Sequence, residues 1–302
     1  MYTTTNGGEQ NIRRATALSL MASLLFGSQF VVIKQGIGDL NPLFFGAMTS
    51  AIGGLIALIY SLRRGRFSIS AFRHWEVWAS AISSTALVSL QYVGLTMSPA
   101  SIGGLIVGSN MIFVAPISAL IFKERLGTSR ALGVVIGLLG VFTISTGWDA
   151  SSLSSSNMIG NLMLMGASLC IAISYPMNRL ATRKMCFEEW VTGFHLLIPL
   201  FLLPMALVNG NIGNASDETL SAILFVGMLC TSVPTLLWAK GLQSLTFVTS
   251  ATILMSESVF AVLLAVLILG ESLTIFTASG AIMVFAAIFL VSYRGKSGIR
   301  RM

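Results

Sequence analysis

Charged residues are scarce in this sequence. Lys, Arg, Asp and Glu make up 10% of its 302 residues, whereas 55% are hydrophobic and the mean hydropathy is +0.85. A soluble domain carries about 25% charged residues, so this chain has too little charge to cover a water-facing surface. The composition excludes a soluble enzyme, a disordered chain and a nucleic-acid-binding protein. It predicts an all-α membrane protein with many spans.

Reactive and metal-binding residues are also few. The chain has three cysteines and two histidines, and Cys170 and Cys230 lie inside apolar runs, where cysteine acts as a small hydrophobic residue. His74 and His195 stand apart from other metal-ligating residues. There is no Cys-x-x-Cys, His-Glu-x-x-His or phosphate-binding Gly-rich loop. We therefore expect no metal, no cofactor, no ATP-driven step within this chain and no enzymatic activity.

Long apolar runs fill most of the sequence. About 20 apolar residues cross the hydrocarbon core as a helix, and windows of that length predict ten spans. They are 15–36, 42–62, 75–97, 101–122, 128–147, 158–180, 189–208, 218–239, 247–269 and 273–293. No cleavage site of small residues follows the first run, so we predict a retained helix rather than a signal peptide.

The positive residues fall on one side of these spans when the N-terminus is placed in the cytoplasm. All of the 18 lysines and arginines except Lys34 then lie on the inner side. Such an excess in short cytoplasmic loops sets the orientation of membrane proteins. We predict a multi-pass protein of the inner (plasma) membrane with both termini cytoplasmic. Its net charge of +7 then faces the anionic inner leaflet of the lipid bilayer, and nucleic acid is not needed to explain it.

The two halves of the sequence resemble each other. At a displacement of 147 residues, identical pairs include Gly94 with Gly241, Ser109 with Ser256, Phe113 with Phe260 and Glu124 with Glu271. Each half holds five predicted helices, and because five is odd the second half enters the membrane from the opposite side. Inverted repeats are typical of secondary transporters, which bind substrate near the midplane between the repeats. A channel or a structural scaffold could carry the same duplication.

Three stretches resemble the motifs of one family. They are 116–126 with Gly133 and Gly137 after it, 257–273 with Gly280 after it, and 26–34. Their pattern is similar to that of EamA-type domains of the drug/metabolite transporter superfamily, over about residues 14–293. The resemblance implies ten helices in two EamA domains and export of amino acids or other metabolites. Among the branches of the family, the aromatic amino acid exporters are the most similar.

Taken together, the fold class that we predict is an all-α membrane protein of ten transmembrane helices, arranged as two inverted-topology five-helix repeats. The first repeat is placed at 14–147 and the second at 158–293.

Two polar residues lie at the centre of predicted spans and at equivalent places in the repeats. Glu257 is central in the ninth span and Asn110 in the fourth, so inverted symmetry brings both near one point at the midplane. An ionisable group there costs about 2.5–3.5 kcal/mol on insertion scales and marks a pathway. We predict that Glu257 carries a coupling proton or binds a substrate ammonium. A structural hydrogen bond between helices is the alternative for both residues.

Further candidates for substrate contact lie in other spans. With Glu257 and Asn110, the predicted substrate-binding residues are Gln29, Gln91, Tyr92, Tyr175, Asn178 and Trp238. Trp238 is close to the inner interface, where an aromatic-belt role is the alternative. Lys34 could pair with Asp39, reach to the interface or attract a substrate carboxylate. Glu124 and Glu271 are each expected to cap the helix that follows them.

The favoured hypothesis is a secondary carrier that exports amino acids or similar small metabolites by alternating access, with protons as the expected coupling partner. Tyr92, Tyr175 and Trp238 offer ring faces that suit aromatic substrates. Three alternatives stay open: an exporter of purines, cationic compounds or other drugs, an intramembrane enzyme, and a passive channel.

Overall fold

A computed structural model describes residues 5–38, 40–122, 127–149, 156–208, 212–241, 244–245 and 253–292. All regular secondary structure in these ranges is helical. The α-helices are α1 (Thr5–Gly36), α2 (Pro42–Arg63), α3 (Trp75–Met97), α4 (Ala100–Gly108), α5 (Met111–Phe122), α6 (Thr128–Thr146), α7 (Ser156–Ala181), α8 (Phe187–Val208), α9 (Asp217–Phe225), α10 (Ser232–Gly241), α11 (Ser256–Leu269) and α12 (Ile275–Ser292). A 3₁₀ helix, Ile69–Arg73, precedes α3, and a π-helix, Val226–Thr231, joins α9 to α10.

Many of these helical stretches are long and apolar enough to cross a membrane. Seven meet both criteria within the described ranges: five are single helices, one runs over α4 and α5, and one runs over α9, the π-helix and α10. Ser256–Leu269 and Ile275–Leu290 are shorter apolar helices. The third predicted span, α3, is not among the seven. Its 23 residues cover about 35 Å at 1.5 Å per residue, so it is long enough. Its hydropathy is lower because one face carries Ser84 and Gln91, which line an internal cavity.

Two predicted spans are interrupted rather than continuous. The fourth span divides into α4 and α5 at a turn formed by Ser109 and Asn110, and the ninth has a turn at Met255 immediately before α11. Asn110 and Glu257 therefore lie beside helix ends, not in the middle of unbroken helices as the sequence predicted. Ser109 and Ser256 are equivalent in the repeats, so the two interruptions are related by the internal symmetry.

The outer faces of the helices carry large apolar side chains. Leu55 is 54% exposed, Val135 55%, Leu267 78% and Ile282 70%, although each lies within a helix. A soluble protein rarely exposes so much contiguous apolar surface. Polar side chains such as Gln91 are instead buried between the helices. This distribution is that of a protein whose solvent is lipid.

Equivalent helices of the two halves pack against each other in antiparallel directions. In the fifth and tenth spans, α6 and α12, Gly137 lies beside Ala287 while Gly147 lies beside Phe276. Because these helices correspond in the repeats and run in opposite directions, the second repeat is inverted relative to the first. The pairs α2 with α8 and α4 with α11 also join equivalent spans.

A close backbone contact occurs twice and follows the same symmetry. Gly94 on α3 lies 3.0 Å, measured from an ideal Cβ position, from the carbonyl oxygen of Gly160 on α7. The corresponding distance from Gly241 on α10 to the carbonyl oxygen of Ala15 on α1 is 3.2 Å. Any side chain larger than hydrogen would push these helices apart. The glycines shared by the two halves are therefore explained by an equivalent helix contact in each.

One end of the bundle gathers basic residues. Arg66 pairs with Glu188 at 2.9 Å, and Lys184 pairs with the buried Glu76 at 2.5 Å. Lys240 lies over the ring of Tyr60. These contacts join segments of the first repeat to segments of the second, and we call this the basic end.

At the opposite end of the bundle, Glu271 links the two repeats. It caps a different helix from the one that the sequence predicted. Its carboxylate does not cap the following helix α12. It accepts hydrogen bonds from the backbone N–H groups of Ala100 at 2.7 Å and Ser101 at 2.9 Å, and another from the Ser101 hydroxyl. Glu271 thus caps the N-terminus of α4, which belongs to the other repeat, because that terminus presents unpaired donors and a partial positive charge. Glu124 lies outside the described residues.

Lys34 lies at the same end as Glu271. Its Nζ donates to the carbonyl oxygens of Leu95 at 2.8 Å and Thr96 at 3.4 Å, near the end of α3. Lysine at a helix C-terminus satisfies carbonyls that lack an intrahelical partner. Lys34 is not among the residues that line the cavity, and Asp39 lies outside the described residues.

Candidate functional site

A cavity of about 240 Å³ lies between the two repeats. Its described walls come from α1, α2, α3, α7, α8 and α10, the π-helix, and the two interrupted spans, so both repeats contribute. It includes the turns at Asn110 and Met255 and extends toward the basic end, where Trp190 on α8 and Trp238 on α10 line it. Pockets between membrane helices at such interruptions are typical substrate sites.

The cavity brings together most of the residues that the sequence singled out. Gln29, Gln91, Tyr92, Asn110, Trp238 and Glu257 all line it. Helix α7 passes the same cavity through Ile171 and Ser174. The side chains of Tyr175 and Asn178 lie outside what the structure describes.

Glu257 is located in the first turn of α11 and faces the cavity. Within the described ranges no donor lies at hydrogen-bond distance from its carboxylate and no cation pairs with it. The neighbouring backbone of α1 is very close, because an ideal Cβ on Gly27 would lie 2.7 Å from the Glu257 carbonyl oxygen. The hydroxyl of Ser23 donates to the carbonyl oxygen of Ile253 at 3.0 Å. The backbone that bears Glu257 is thus fixed against α1, while its carboxylate is left for a ligand, a proton or water.

Asn110 occupies the equivalent turn in the first repeat. Its Nδ2 donates to the carbonyl oxygen of Val107 at 3.1 Å, and the hydroxyl of Ser168 donates to the same carbonyl at 3.2 Å. The Asn110 amide oxygen has no described partner. The amide nitrogen thus closes its own turn, and among the described residues this side chain makes no hydrogen bond to another helix. The amide oxygen remains as an acceptor for a group in the cavity.

Gln91 is buried in the cavity wall, and its side-chain amide has a donor without a hydrogen-bond partner in the described structure. Only 4% of the residue is exposed, and its Nε2 has no partner among the described residues. A buried amide without a partner costs about 1–3 kcal/mol. Because Gln91 lines the cavity, a ligand group or an ordered water placed there would remove that cost.

Two aromatic residues contribute ring faces. The hydroxyl of Thr49 donates to the carbonyl oxygen of Gly46, so the Tyr92 hydroxyl is the donor in its 3.0 Å contact with Thr49. The Tyr92 hydroxyl is thereby engaged, and its ring forms the wall. Trp238 is 8% exposed and lines the cavity, so the aromatic-belt alternative is wrong for it.

Several lining residues were missed by the sequence reasoning. His195, Trp190 and Phe194 on α8 line the cavity, as do Cys230 and Thr231 of the π-helix. The side-chain hydroxyl of Thr231 donates to the carbonyl oxygen of Val226 at 2.9 Å, five residues back within the π-helix. π-turns are enriched at functional sites, but their sequences carry no marker. A single histidine in an apolar span was the available signal for His195.

The charge of the cavity wall is one-sided. Among its described residues Glu257 is the acidic one, and neither lysine nor arginine lines the cavity. Electrostatics therefore favour a ligand group that is positive over one that is negative.

Comparison with known proteins relates the whole chain to transporters. The profile of the EamA-like transporter family matches residues 13–146 and again 158–293. An uncharacterized transporter of Synechocystis is 27% identical over 94% of this chain and 91% of its own length. A Salmonella typhimurium protein named "Probable amino-acid metabolite efflux pump" is 21% identical over 92% of this chain and 94% of its own length.

A solved crystal structure also has the same fold. It superposes with a TM-score of 0.68 at 18% identity, and the match covers 92% of this chain and 96% of that one. At this identity the similarity concerns the fold alone.

Proposed function

The chain belongs to the EamA-like transporter family, and we propose that it is a secondary carrier exporting amino acids, aromatic ones included, or similar small metabolites. It moves them across the inner (plasma) membrane by alternating access. The observation that carries this proposal is the cavity at the boundary of two inverted repeats, lined by the carboxylate of Glu257, for which the described residues offer no partner.

The polar groups of the cavity match the two ends of an amino acid. Glu257 provides a negative partner for an ammonium group. The Nε2 of Gln91, which has no partner in the described part of the chain, provides a donor for a carboxylate. Tyr92, Trp190 and Phe194 add ring faces against which an aromatic side chain can pack. The Salmonella relative named as an amino-acid metabolite efflux pump agrees with this substrate class.

Alternating access needs contacts between repeats that hold one end closed while the other is open. The cavity extends toward the basic end, and at the opposite end Glu271 of the second repeat holds α4 of the first. Rocking of the repeats would break that capping interaction at one end and close the cavity at the basic end. Inverted repeats make the two end states similar in energy, because each is related to the other by the internal symmetry.

The orientation in the membrane is part of the proposal. The basic end contains Arg64, Arg66, Lys184 and Lys240, as the positive-inside rule expects of a cytoplasmic surface. With that orientation, the cavity extends toward the cytoplasm, from which an exporter loads its substrate.

Export of cationic compounds is the second candidate, and one observation favours it. A single carboxylate without a basic neighbour in the described wall binds an organic cation as well as it binds the ammonium of a zwitterion. An organic cation without a carboxylate group, however, has no acceptor to offer to the Gln91 Nε2 donor, which lacks a partner among the described residues.

Counterflow in proteoliposomes tests the proposal. Vesicles containing the purified protein are loaded with one unlabelled compound and diluted into a trace of its labelled form. The panel comprises amino acids, purines and cationic drugs. Transient uptake of labelled amino acids against empty-vesicle controls supports an amino acid carrier, and uptake of cations alone supports the second candidate. Uptake that is insensitive to the internal compound indicates a channel and contradicts both.

A further inference from the structure

Helix α8 presents three aromatic rings to the cavity. The ring centroids of Trp190 and Phe194 are 4.7 Å apart, and those of Phe194 and His195 are 4.2 Å apart with planes at 35°. All three residues line the cavity. The indole N–H of Trp190 is already engaged, because it donates to the Ser80 hydroxyl at 3.0 Å. His195 therefore supplies the free polar edge of this aromatic wall.

The protonation of the His195 ring follows from its hydrogen bond. Its Nδ1 lies 2.9 Å from the carbonyl oxygen of Val191, one turn earlier in the same helix. A carbonyl oxygen has no proton to give, so Nδ1 must carry the hydrogen. In a neutral imidazole the other nitrogen, Nε2, is then an acceptor. Nε2 has no described partner, and the residue is 6% exposed, so its free edge can be satisfied from the cavity.

We propose that His195 determines specificity by accepting a hydrogen bond from an N–H or O–H group on the ring of the substrate. The substrate ring packs against Phe194 and Trp190, and its donor meets Nε2. The chemical class selected is an indole or a phenol rather than a plain phenyl ring. This inference rests on the proposed function, since it names the side chain of the amino acid that the carrier exports.

The first test compares substrates that differ by one hydrogen-bond donor. Tryptophan is compared with 1-methyltryptophan, and tyrosine with O-methyltyrosine, by competition in the counterflow assay. The corresponding amines, tryptamine and tyramine, are compared with their methylated forms. We expect the donor-bearing compound to compete about fivefold to tenfold better in each pair, as one net hydrogen bond of ordinary strength gives. Equal competition within the pairs would overturn the inference.

The second test removes the acceptor. His195→Phe keeps a flat ring beside Phe194 but has no nitrogen, so the preference should fall to about one. His195→Gln places an amide oxygen at a similar reach, so part of the preference should return. His74→Phe makes the same change at the start of α3, outside the cavity wall, and should leave the preference as it is in the unaltered protein. Thermal unfolding midpoints of all variants, measured in detergent, identify any that fail to fold. An undiminished preference in folded His195→Phe contradicts the inference.

The amines separate this inference from the proposed function. If amino acids are not transported but the amines are, with a preference that His195→Phe abolishes, the proposed substrate is wrong and the role of His195 holds. If amino acids are transported without the donor preference, the function holds and the role of His195 is wrong. If no ring compound of either set competes, the role of His195 is wrong as well.

Discussion

Asn110 and Glu257 occupy equivalent positions in the two repeats, yet of the two it is Glu257 that gives the cavity wall its charge. The amide of Asn110 is partly used by its own turn, while the Glu257 carboxylate has no partner in the described chain. A charged carboxylate held away from water is costly unless something pairs with it. Binding of a proton or of a cationic substrate group to Glu257 is therefore favourable, because it removes that cost.

Glu257→Gln should separate the possible roles of this carboxylate. If Glu257 carries a proton, the amide mimics its protonated form, so export driven by a proton gradient should be lost while substrate exchange survives. If it binds the substrate ammonium, both should weaken, by about tenfold or more for the loss of a charge-assisted hydrogen bond. The two modes are measured side by side in proteoliposomes. Glu218→Gln, at an exposed site in the first turn of α9, is the control. Rates like those of the unaltered protein in both modes would remove Glu257 from the functional site.

Gly27→Ala should destabilise the protein. An ideal Cβ at this position lies 2.7 Å from the carbonyl oxygen of Glu257 and 2.8 Å from the Cβ of Phe260, both parts of α11 that cannot turn aside. Overpacking of this kind costs about 1–3 kcal/mol. The unfolding midpoint in detergent is the measurement. Gly127→Ala provides the control, because Gly127 has φ of −69° and nothing within 4 Å of its ideal Cβ. Equal midpoints for the two variants would show that α1 and α11 are less tightly packed than described.

At the scale of the helices, the capping of α4 by Glu271 links the repeats at the end opposite the basic residues. Removing a helix N-cap costs about 0.5–2 kcal/mol, and Glu271 satisfies two backbone donors and a hydroxyl. We expect Glu271→Ala to lower the free energy of unfolding by about 2 kcal/mol. Denaturant titration followed by circular dichroism measures it. Glu218→Ala removes a first-turn carboxylate for which no side-chain bond is described, and a loss of the same size there would contradict a specific role for Glu271.

The helices themselves could be predicted because a membrane helix needs a run of apolar residues that the sequence displays directly. The predicted ends differ from the structure by a few residues at most places. The interruptions at Asn110 and Met255 could not be predicted, because neither turn contains proline or a glycine with positive φ. The cap formed by Glu271 was also missed. Its partners are 170 and 171 residues away in the sequence, and the local sequence around Glu271 carries no information about such a distant contact.

For the whole molecule, the orientation remains a prediction that labelling can check. Ser68, close to the basic end, and Ala215, before α9, are both exposed. In a variant whose three native cysteines are replaced, Ala215→Cys should react with an impermeant maleimide on intact cells. Ser68→Cys should react after permeabilisation alone, because the basic end is expected to face the cytoplasm. Labelling of Ser68→Cys on intact cells would reverse the orientation, and the proposed direction of loading with it.

The two-repeat architecture was predicted from the sequence because the repeats share residues, such as Gly94 and Gly241, whose positions have a packing cause. The composition of the cavity was predicted less fully. Polar residues in apolar spans identified Gln29, Gln91 and Glu257, since such residues are costly in lipid unless buried. The aromatic wall of α8 was missed, because Trp190 and Phe194 are apolar residues in an apolar helix and nothing local distinguishes a cavity face from a packing face.

The difference between Asn110 and Glu257 also bears on transport stoichiometry. An exact duplicate would have placed two carboxylates beside the symmetry axis, and two such groups could exchange two protons per cycle. In the described wall of this cavity Glu257 is the acidic group, so a proton-coupled cycle built on it exchanges one proton for each substrate molecule. One pH unit across the membrane is then worth about 1.4 kcal/mol per molecule moved. For a substrate without net charge, that sets a limit of about tenfold on the concentration ratio that such a pH difference can sustain.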